Sequence, residues 1–259
     1  MVSGGGEKAS DRRRGIQSIE IGMRILEALA GQGEATTLSG LAQSTGIPAP
    51  QVHRYLHSLM ASGMARQDTS SGRYDLGPAA LRVGLAALSR TDAFKVVDRM
   101  VGEFVERTGQ AVQIAAFGPM GPTIVRIYNG RPALLTTLHV GAVLPLVVSA
   151  TGRVFLAFVP PSETLALVEK EGGKPGPALE RIRQQTRDEG MASEAATVIP
   201  GLMATAFPIL DLQGRAILVA TALRPQSAAD GEKEIAELGE ICRQISAELG
   251  WHDVRASLP

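Results

Sequence analysis

The 259-residue sequence has a single cysteine, no excess of either charge and no long apolar run. Each shortage excludes something. One thiol, Cys242, cannot form an intramolecular disulfide or a multi-thiolate zinc site, and the reducing cytoplasm is its natural compartment. Lys+Arg and Asp+Glu are 26 each, which excludes a nucleic-acid binder that is basic all over but not one with a local basic face. No stretch approaches the roughly 18 apolar residues of a membrane span. The most apolar region, 142–161, is interrupted by Pro145, Ser149, Thr151, Gly152 and Arg153. The first fifteen residues are Gly-rich and then basic, with Arg12, Arg13 and Arg14 adjacent, and lack the apolar run of a signal peptide. A soluble, cytoplasmic protein with no membrane partner is expected.

Catalytic signatures are missing too. There is no Gly-x-Ser-x-Gly, no phosphate loop and no His-x-x-x-His, and His53, His57, His139 and His252 are scattered. Cys242 falls on the apolar face of the last helix and reads as inert core. His139, near Leu144, reads as a core histidine rather than a base. The chain is expected not to be an enzyme and to hold no metal and no cofactor.

What is present is globular: 44% hydrophobic and 20% charged residues exclude a mostly disordered chain, and the length allows one large domain or two. Residues 1–90 carry ten Lys and Arg against seven Asp and Glu, so the N-terminal third is the part suited to phosphate. There Ile19, Met23, Leu26 and Leu29 recur at helical spacing, with Ser18 as N-cap and Gly31 and Gly33 as stops. A short helix follows, capped by Thr37, with Leu38, Leu41 and Ala42 inward and Gly46 at its end. Pro48 and Pro50 open a third helix with Val52, Tyr55, Leu56, Leu59 and Met60 on one face, ending at Gly63. Two short extended runs, 64–67 and 73–76, flank the polar turn 68–72 and predict a β-hairpin. Three helices and a hairpin in about 60 residues make a winged helix-turn-helix.

From Pro78 the pattern is helical again, with a Leu81, Leu85, Leu88 stripe. A longer helix around Phe94, Val97, Val101, Phe104 and Val105 ends before Gly109. Strands are predicted over 111–117, 123–128 and 134–140. Helices follow around 155–159, 165–168 and 179–186, then strands around 201–210 and 215–223 joined by a turn at 211–214. The last helix carries Ile235, Leu238, Cys242, Ile245 and Leu249. Mixed helices and strands indicate an α+β domain of about 165 residues.

The third helix carries the chemistry. With Val52 at zero and about 100° per residue, the apolar set centres near about 10°. Arg54 falls at about 200°, His57 at about 140°, Ser58 at about 240° and Gln51 at about −100°, all off the core face. Gln51 and Arg54 occupy the first turns, the part of a recognition helix that reaches base edges; Gln suits adenine and Arg guanine, or either bonds phosphate. A solvated helix face has the same pattern in isolation. The capped helix before it, the tight Gly46-Ile47-Pro48 turn and a hairpin with Arg66 and Arg73 at its base favour DNA. His53, at about 100°, lies on the boundary, where a partly buried histidine and a DNA contact are equal readings.

These residues resemble an IclR-type bacterial transcriptional regulator, from about Gly15 to Trp251. The family's recognition region, roughly Gly-Leu-Pro-x-Ser-Thr-Val-His-Arg-Leu-Leu, corresponds to the run from Gly46 to Leu56. Its Tyr-x-Leu-Gly after the wing corresponds to Tyr74-Asp75-Leu76-Gly77. Its Gly-x-x-Leu-Pro-Leu and following Gly-Lys correspond to Gly141 through Leu146 and to Gly152-Arg153. A late Gly, then Ala-x-Pro, two apolar residues and Asp, correspond to Gly201 and to Ala206 through Asp211. Each piece alone is weak; four in the right order are fairly specific. Pro50 and Gln51 replace the usual Ser-Thr, Ala204 replaces a usual cysteine, and Thr221 and Leu223 stand where Ser is frequent.

The resemblance implies a GAF-like C-terminal domain that binds a small molecule, often a carboxylate or aromatic metabolite. The family's pocket maps to backbone amides of Ala150 and Thr151 and to Leu144, Glu194, Ala204, Thr221 and Leu223. From the residues themselves, a small-residue run before an apolar helix offers N–H groups to an anion, or simply packs a turn against the sheet. Glu194 repels a carboxylate unless paired or protonated, or is an exposed residue.

The expected organisation is a disordered tail 1–14, a winged helix-turn-helix 15–77, a linker helix 78–92 and an effector-binding domain 93–252. The expected function is a ligand-responsive regulator that binds a near-palindromic double-stranded operator. It is expected to act as a homodimer or dimer of dimers, paired through Leu81, Leu85 and Leu88 unless that stripe packs on its own domain. A ligand sensor whose helix-turn-helix binds another protein is the alternative.

Overall fold

The computed structural model describes residues 16–88, 92–134, 136–195, 198–228 and 231–251. The expected tail 1–14, residues 89–91 of the expected linker, the side chain of Leu88 and His252 lie outside the described residues. Contacts divide the chain into two compact units, Met1–Arg90 and Thr91–Pro259.

The first unit contains α1 (Gln17–Ala30), α2 (Leu38–Thr45), α3 (Ala49–Ala61), β1 (Ala65–Gln67), β2 (Tyr74–Leu76) and α4 (Pro78–Leu88). The Thr37 hydroxyl caps α2 by accepting the Gly40 N–H at 3.1 Å, and Gly46 ends it in the left-handed region at φ +68°, which glycine adopts at no steric cost. Pro48 is the N-cap of α3 and Pro50 sits in its first turn, where the missing N–H has no intrahelical partner to lose. Ile25, Leu41, Val52, Leu56 and Tyr74 form one buried core. β1 and β2 pair antiparallel as a wing. At its tip the Asp68 carboxylate accepts the hydroxyls and N–H groups of Ser70 and Ser71, and these bonds hold it well below the usual carboxylate range.

Two expectations for α1 fail. The helix begins at Gln17 with Ile16 at the N-cap and no side-chain cap, so Ser18 lies inside the first turn. Ile19 and Met23 are exposed, while Ile25, Leu26 and Leu29 are buried. The helix is apolar on more than one face, and packing rather than periodicity chooses which one is covered.

The second unit contains α5 (Ala93–Thr108), β3 (Ala111–Gly118), β4 (Gly121–Tyr128), α6 (Ala150–Phe158), α7 (Pro161–Lys170), α8 (Pro177–Glu189), β5 (Ala192–Ala195), β6 (Leu202–Leu210), β7 (Ala216–Pro225) and α9 (Glu232–Glu248). The sheet is antiparallel in the order β4-β3-β7-β6-β5. Side chains alternate between its faces. Val112, Ile114, Phe207, Ile209, Leu218, Ala220 and Ala222 pack with α5 and α9. Ala115, Ala206 and Val219 pack with α6 and α8 on the other face. Both faces are covered, so the strands are apolar throughout rather than alternating. The fold is α+β, as expected.

The strand expected over 134–140 is not formed. Those described residues are irregular, and Val140 is exposed. The edge of β4 is instead met by the following segment: Ile124 N–H donates to the Ala142 carbonyl at 2.9 Å, Gly141 N–H to Ile124 at 2.8 Å and Leu144 N–H to Pro122 at 2.7 Å. β5 was not expected from the sequence; its run Ala-Ser-Glu-Ala lacks β-branched and aromatic residues and is held by pairing with β6.

Candidate functional site

The first candidate surface is the outer face of α3. Val52 and Leu56 are fully buried, which turns His53, Arg54, His57 and Ser58 to solvent, with Gln51 half-buried in the first turn. His53, on the boundary in the sequence reading, is exposed. Within the described residues the Arg54 guanidinium makes no hydrogen bond or ion pair. In the wing, Arg66 bonds Asp75 across the hairpin at 2.7 Å. That bond raises the guanidinium pKa and lowers that of the Asp75 carboxyl. Arg73 donates to the Ala35 carbonyl at 3.0 Å. Both arginines are exposed, and such surface contacts are weak enough to exchange for phosphate.

Leu81 and Leu85 on α4 are exposed, and so is Val83. The stripe therefore does not serve as core of its own unit; the Leu88 side chain is outside the described residues.

The second candidate site is a pocket in the other unit, between the sheet and the start of α6. About 390 Å³ of empty space lies in and before it, open solvent at its mouth included. Leu144, Ala150, Thr151, Glu194, Ala204 and Leu223 all line it. Thr221 does not: it is fully buried one layer below, with its hydroxyl 2.8 Å from that of Thr151.

Local chemistry fixes the start of α6. The Ser149 hydroxyl accepts the Gly152 N–H at 2.9 Å and donates to the Pro145 carbonyl at 2.5 Å. The first intrahelical bond runs from Arg153 N–H to Ser149, so the N–H groups of Ala150 and Thr151 precede it and have no partner within the helix. Gly152 lies against the loop. A Cβ there would stand 2.2 Å from the Pro145 carbonyl oxygen and 2.4 Å from that of Leu146. Glu171, at the end of α7, accepts the N–H groups of Leu146 and Val147 at 2.7 and 3.2 Å. Arg153 donates through Nε to the Val147 carbonyl at 2.9 Å and forms an ion pair with Glu194. Glu194 thus lines the pocket as a paired, partly buried carboxylate, which answers the question its charge raised.

Sequence reading missed Gln113, Leu138, Val198, Ile199 and Leu202 on the pocket wall. Gln113 carried a signal, as the one polar residue in an otherwise apolar strand. Leu138 lies in the irregular segment where a strand is expected, and Val198 and Ile199 lie in a connection without a motif. His139 is exposed rather than core, with Nδ1 3.2 Å from the Thr137 carbonyl. Cys242 is buried, and burial pushes its thiol up to about 12. Among the described residues no cluster of three His, Cys, Asp or Glu stands where a metal ion is held, and no helix is long and apolar enough to cross a membrane.

A winged helix-turn-helix in one unit and a pocketed sheet in the other define the class of ligand-responsive DNA-binding regulators. The sequence matches the IclR helix-turn-helix domain over residues 18–69 and the bacterial transcriptional regulator IclR C-terminal domain over residues 85–250. The chain belongs to the IclR family. It is a DNA-binding transcriptional regulator with a C-terminal effector-binding domain, and not an enzyme. It is similar to the crystal structure of Pseudomonas aeruginosa HmgR, with 37% identity, a TM-score of 0.74, and coverage of 91% of this chain and 99% of that one. The glycerol operon regulatory protein of Streptomyces coelicolor is 26% identical over 249 residues, 92% of this chain and 98% of its own length. An IclR homologue from Microbacterium hydrocarbonoxydans, solved with 4-hydroxybenzoate, shares the fold at 20% identity and a TM-score of 0.52, over 90% of this chain and 98% of that one.

Proposed function

We propose that two copies of the chain read a near-palindromic operator in the cytoplasm and respond to a small carboxylate or aromatic acid. Gln51, His53, Arg54, His57 and Ser58 meet bases and phosphates in the major groove, and Arg66 and Arg73 in the wing meet the flanking backbone. Symmetry of the protein demands symmetry of the site. Leu81, Leu85 and Leu88 pair the linker helices, and the exposure of Leu81 and Leu85 supports this. The assembly is a dimer or a dimer of dimers.

The observation that carries the ligand chemistry is the pocket itself. Leu138, Leu144, Val198, Ile199, Leu202 and Leu223 give it apolar walls, and the N–H groups at the start of α6 give it one electropositive end. That combination suits a flat or short apolar body with an acidic group. The 4-hydroxybenzoate bound by the Microbacterium relative is a molecule of that kind. Binding favours one conformer and so moves the two reading heads relative to each other.

A thermal-shift screen of small carboxylates and aromatic acids identifies the effector, because a ligand of the folded state raises its melting temperature. Ala204→Phe then fills the pocket from the sheet side. The expected result is loss of the shift with operator binding retained. Full effector binding by a folded Ala204→Phe protein places the site elsewhere.

A further inference from the structure

Gln113 sits in β3, on the sheet face that α6 covers, beside Thr221 of β7 in register. It is buried and lines the pocket. Its amide nitrogen is directed to the Thr151 hydroxyl at 3.5 Å, and Thr151 in turn meets Thr221 at 2.8 Å. Either hydroxyl can be the donor in that last bond. The side-chain oxygen of Gln113 has no hydrogen-bond partner in the described structure. A buried acceptor left in that state costs stability that an apolar side chain would not. The next residue on the same face of β3 is Ala115, buried in the apolar cluster under α6, so the two threonines are the polar neighbours and neither meets the Gln113 oxygen.

We propose that Gln113 determines the specificity of the effector site by accepting a hydrogen bond from an uncharged O–H donor on the ligand. The inference rests on the pocket being the effector site. It narrows the ligand to an acid that also carries a hydroxyl. A carboxylate has no proton to give the Gln113 oxygen and lies instead toward the N–H groups of Ala150 and Thr151. A ligand of the same shape without the hydroxyl enters the same walls but leaves the Gln113 oxygen unpaired and cut off from water. Discrimination of that kind exceeds what a methylene in an apolar pocket provides.

Matched acids test this on the full-length protein by titration calorimetry: 4-hydroxybenzoate and salicylate against benzoate, 4-hydroxyphenylacetate against phenylacetate, and lactate against propionate. The wild-type protein should bind the hydroxylated member of at least one set roughly 5- to 100-fold more tightly. In Gln113→Leu, which keeps the bulk and removes the acceptor, that ratio should fall to within about twofold. Gln113→Met serves the same purpose if the leucine variant does not fold. Three outcomes overturn the proposal: no hydroxylated probe binds, the wild type shows no preference in the sets that bind, or the preference survives in the leucine or methionine variant. Ala204→Phe separates the two failures. If it blocks the probes while the Gln113 variants keep the preference, only the role of Gln113 falls. If it leaves binding intact, the pocket is not the effector site.

Discussion

Replacing Gly152 by alanine sets two effects against each other. By helix propensity alone the change stabilises α6, by about 1 kcal/mol. The surroundings reverse the sign. The new Cβ would lie 2.2 Å from the Pro145 carbonyl oxygen, 2.4 Å from that of Leu146 and 2.6 Å from the Leu146 Cα. All three are backbone atoms, so no rotamer change relieves the overlap. The loop must retreat by about 1 Å to restore normal contact. A retreat of that size breaks hydrogen bonds that tolerate only a few tenths of an ångström. Those at risk are the Ser149 hydroxyl to Pro145 and the Glu171 carboxylate to Leu146 and Val147. Glu171 is exposed, so each bond is taken at about 1 kcal/mol. Three such losses less the propensity gain leave a destabilisation of about 2 kcal/mol. For a unit of this size that lowers the melting temperature by roughly 4–8 °C. Scanning calorimetry should show the loss in the effector-binding unit, accompanied by weaker effector binding because Leu144, Ala150 and Thr151 are displaced together. A transition that stays put or rises would refute the reasoning, since propensity would then outweigh the contact with the loop.

Arg54→Ala should cost roughly 1–3 kcal/mol of operator affinity in a fluorescence-anisotropy titration, with the melting temperature unchanged because the side chain is exposed; normal affinity would mean that this face of α3 does not meet DNA. Leu85→Glu should shift the protein toward monomers in light scattering and weaken operator binding, and an intact dimer with full affinity would remove the leucine stripe from the assembly. Cys242 should resist 5,5′-dithiobis(2-nitrobenzoate) at pH 8 until the protein is unfolded. Burial raises its pKa from 9.0 to about 12, so the folded state keeps the proton. The stability this provides is complete below about pH 9 and is lost as the pH climbs towards 12. Rapid labelling of native protein would contradict the burial.

The DNA-binding unit was legible because its signals are local. Thr37, Gly46 and Pro50 mark helix ends by chemistry that acts within a few residues, and the wing is announced by a polar turn between two short extended runs. Where several faces of one helix are apolar, as in α1, periodicity does not say which is buried: Ile19 and Met23 share the spacing of Leu26 and Leu29 yet are exposed. The pocket was harder, because its walls come from distant segments. Ala150, Thr151 and Leu144 share one motif, and the family resemblance maps them to the pocket together. Gln113, Val198 and Ile199 join them only through the sheet order β4-β3-β7-β6-β5, which nothing local in the sequence specifies. The resemblance maps Thr221 to the pocket, yet it is fully buried with its hydroxyl against that of Thr151, a matter of depth that a one-dimensional pattern does not hold. Residues 134–140 alternate like a strand, but chain pairing at the edge of β4 begins only at Gly141.

That edge has a practical side. A sheet margin with free N–H and C=O groups is a template for another chain, and here the guard over Pro122–Ile124 is the same stretch that supplies Leu144 to the pocket wall. Any change that loosens residues 141–144 therefore acts in two places at once, on the pocket wall and on the backbone of Pro122–Ile124, which it leaves open to pairing with another chain.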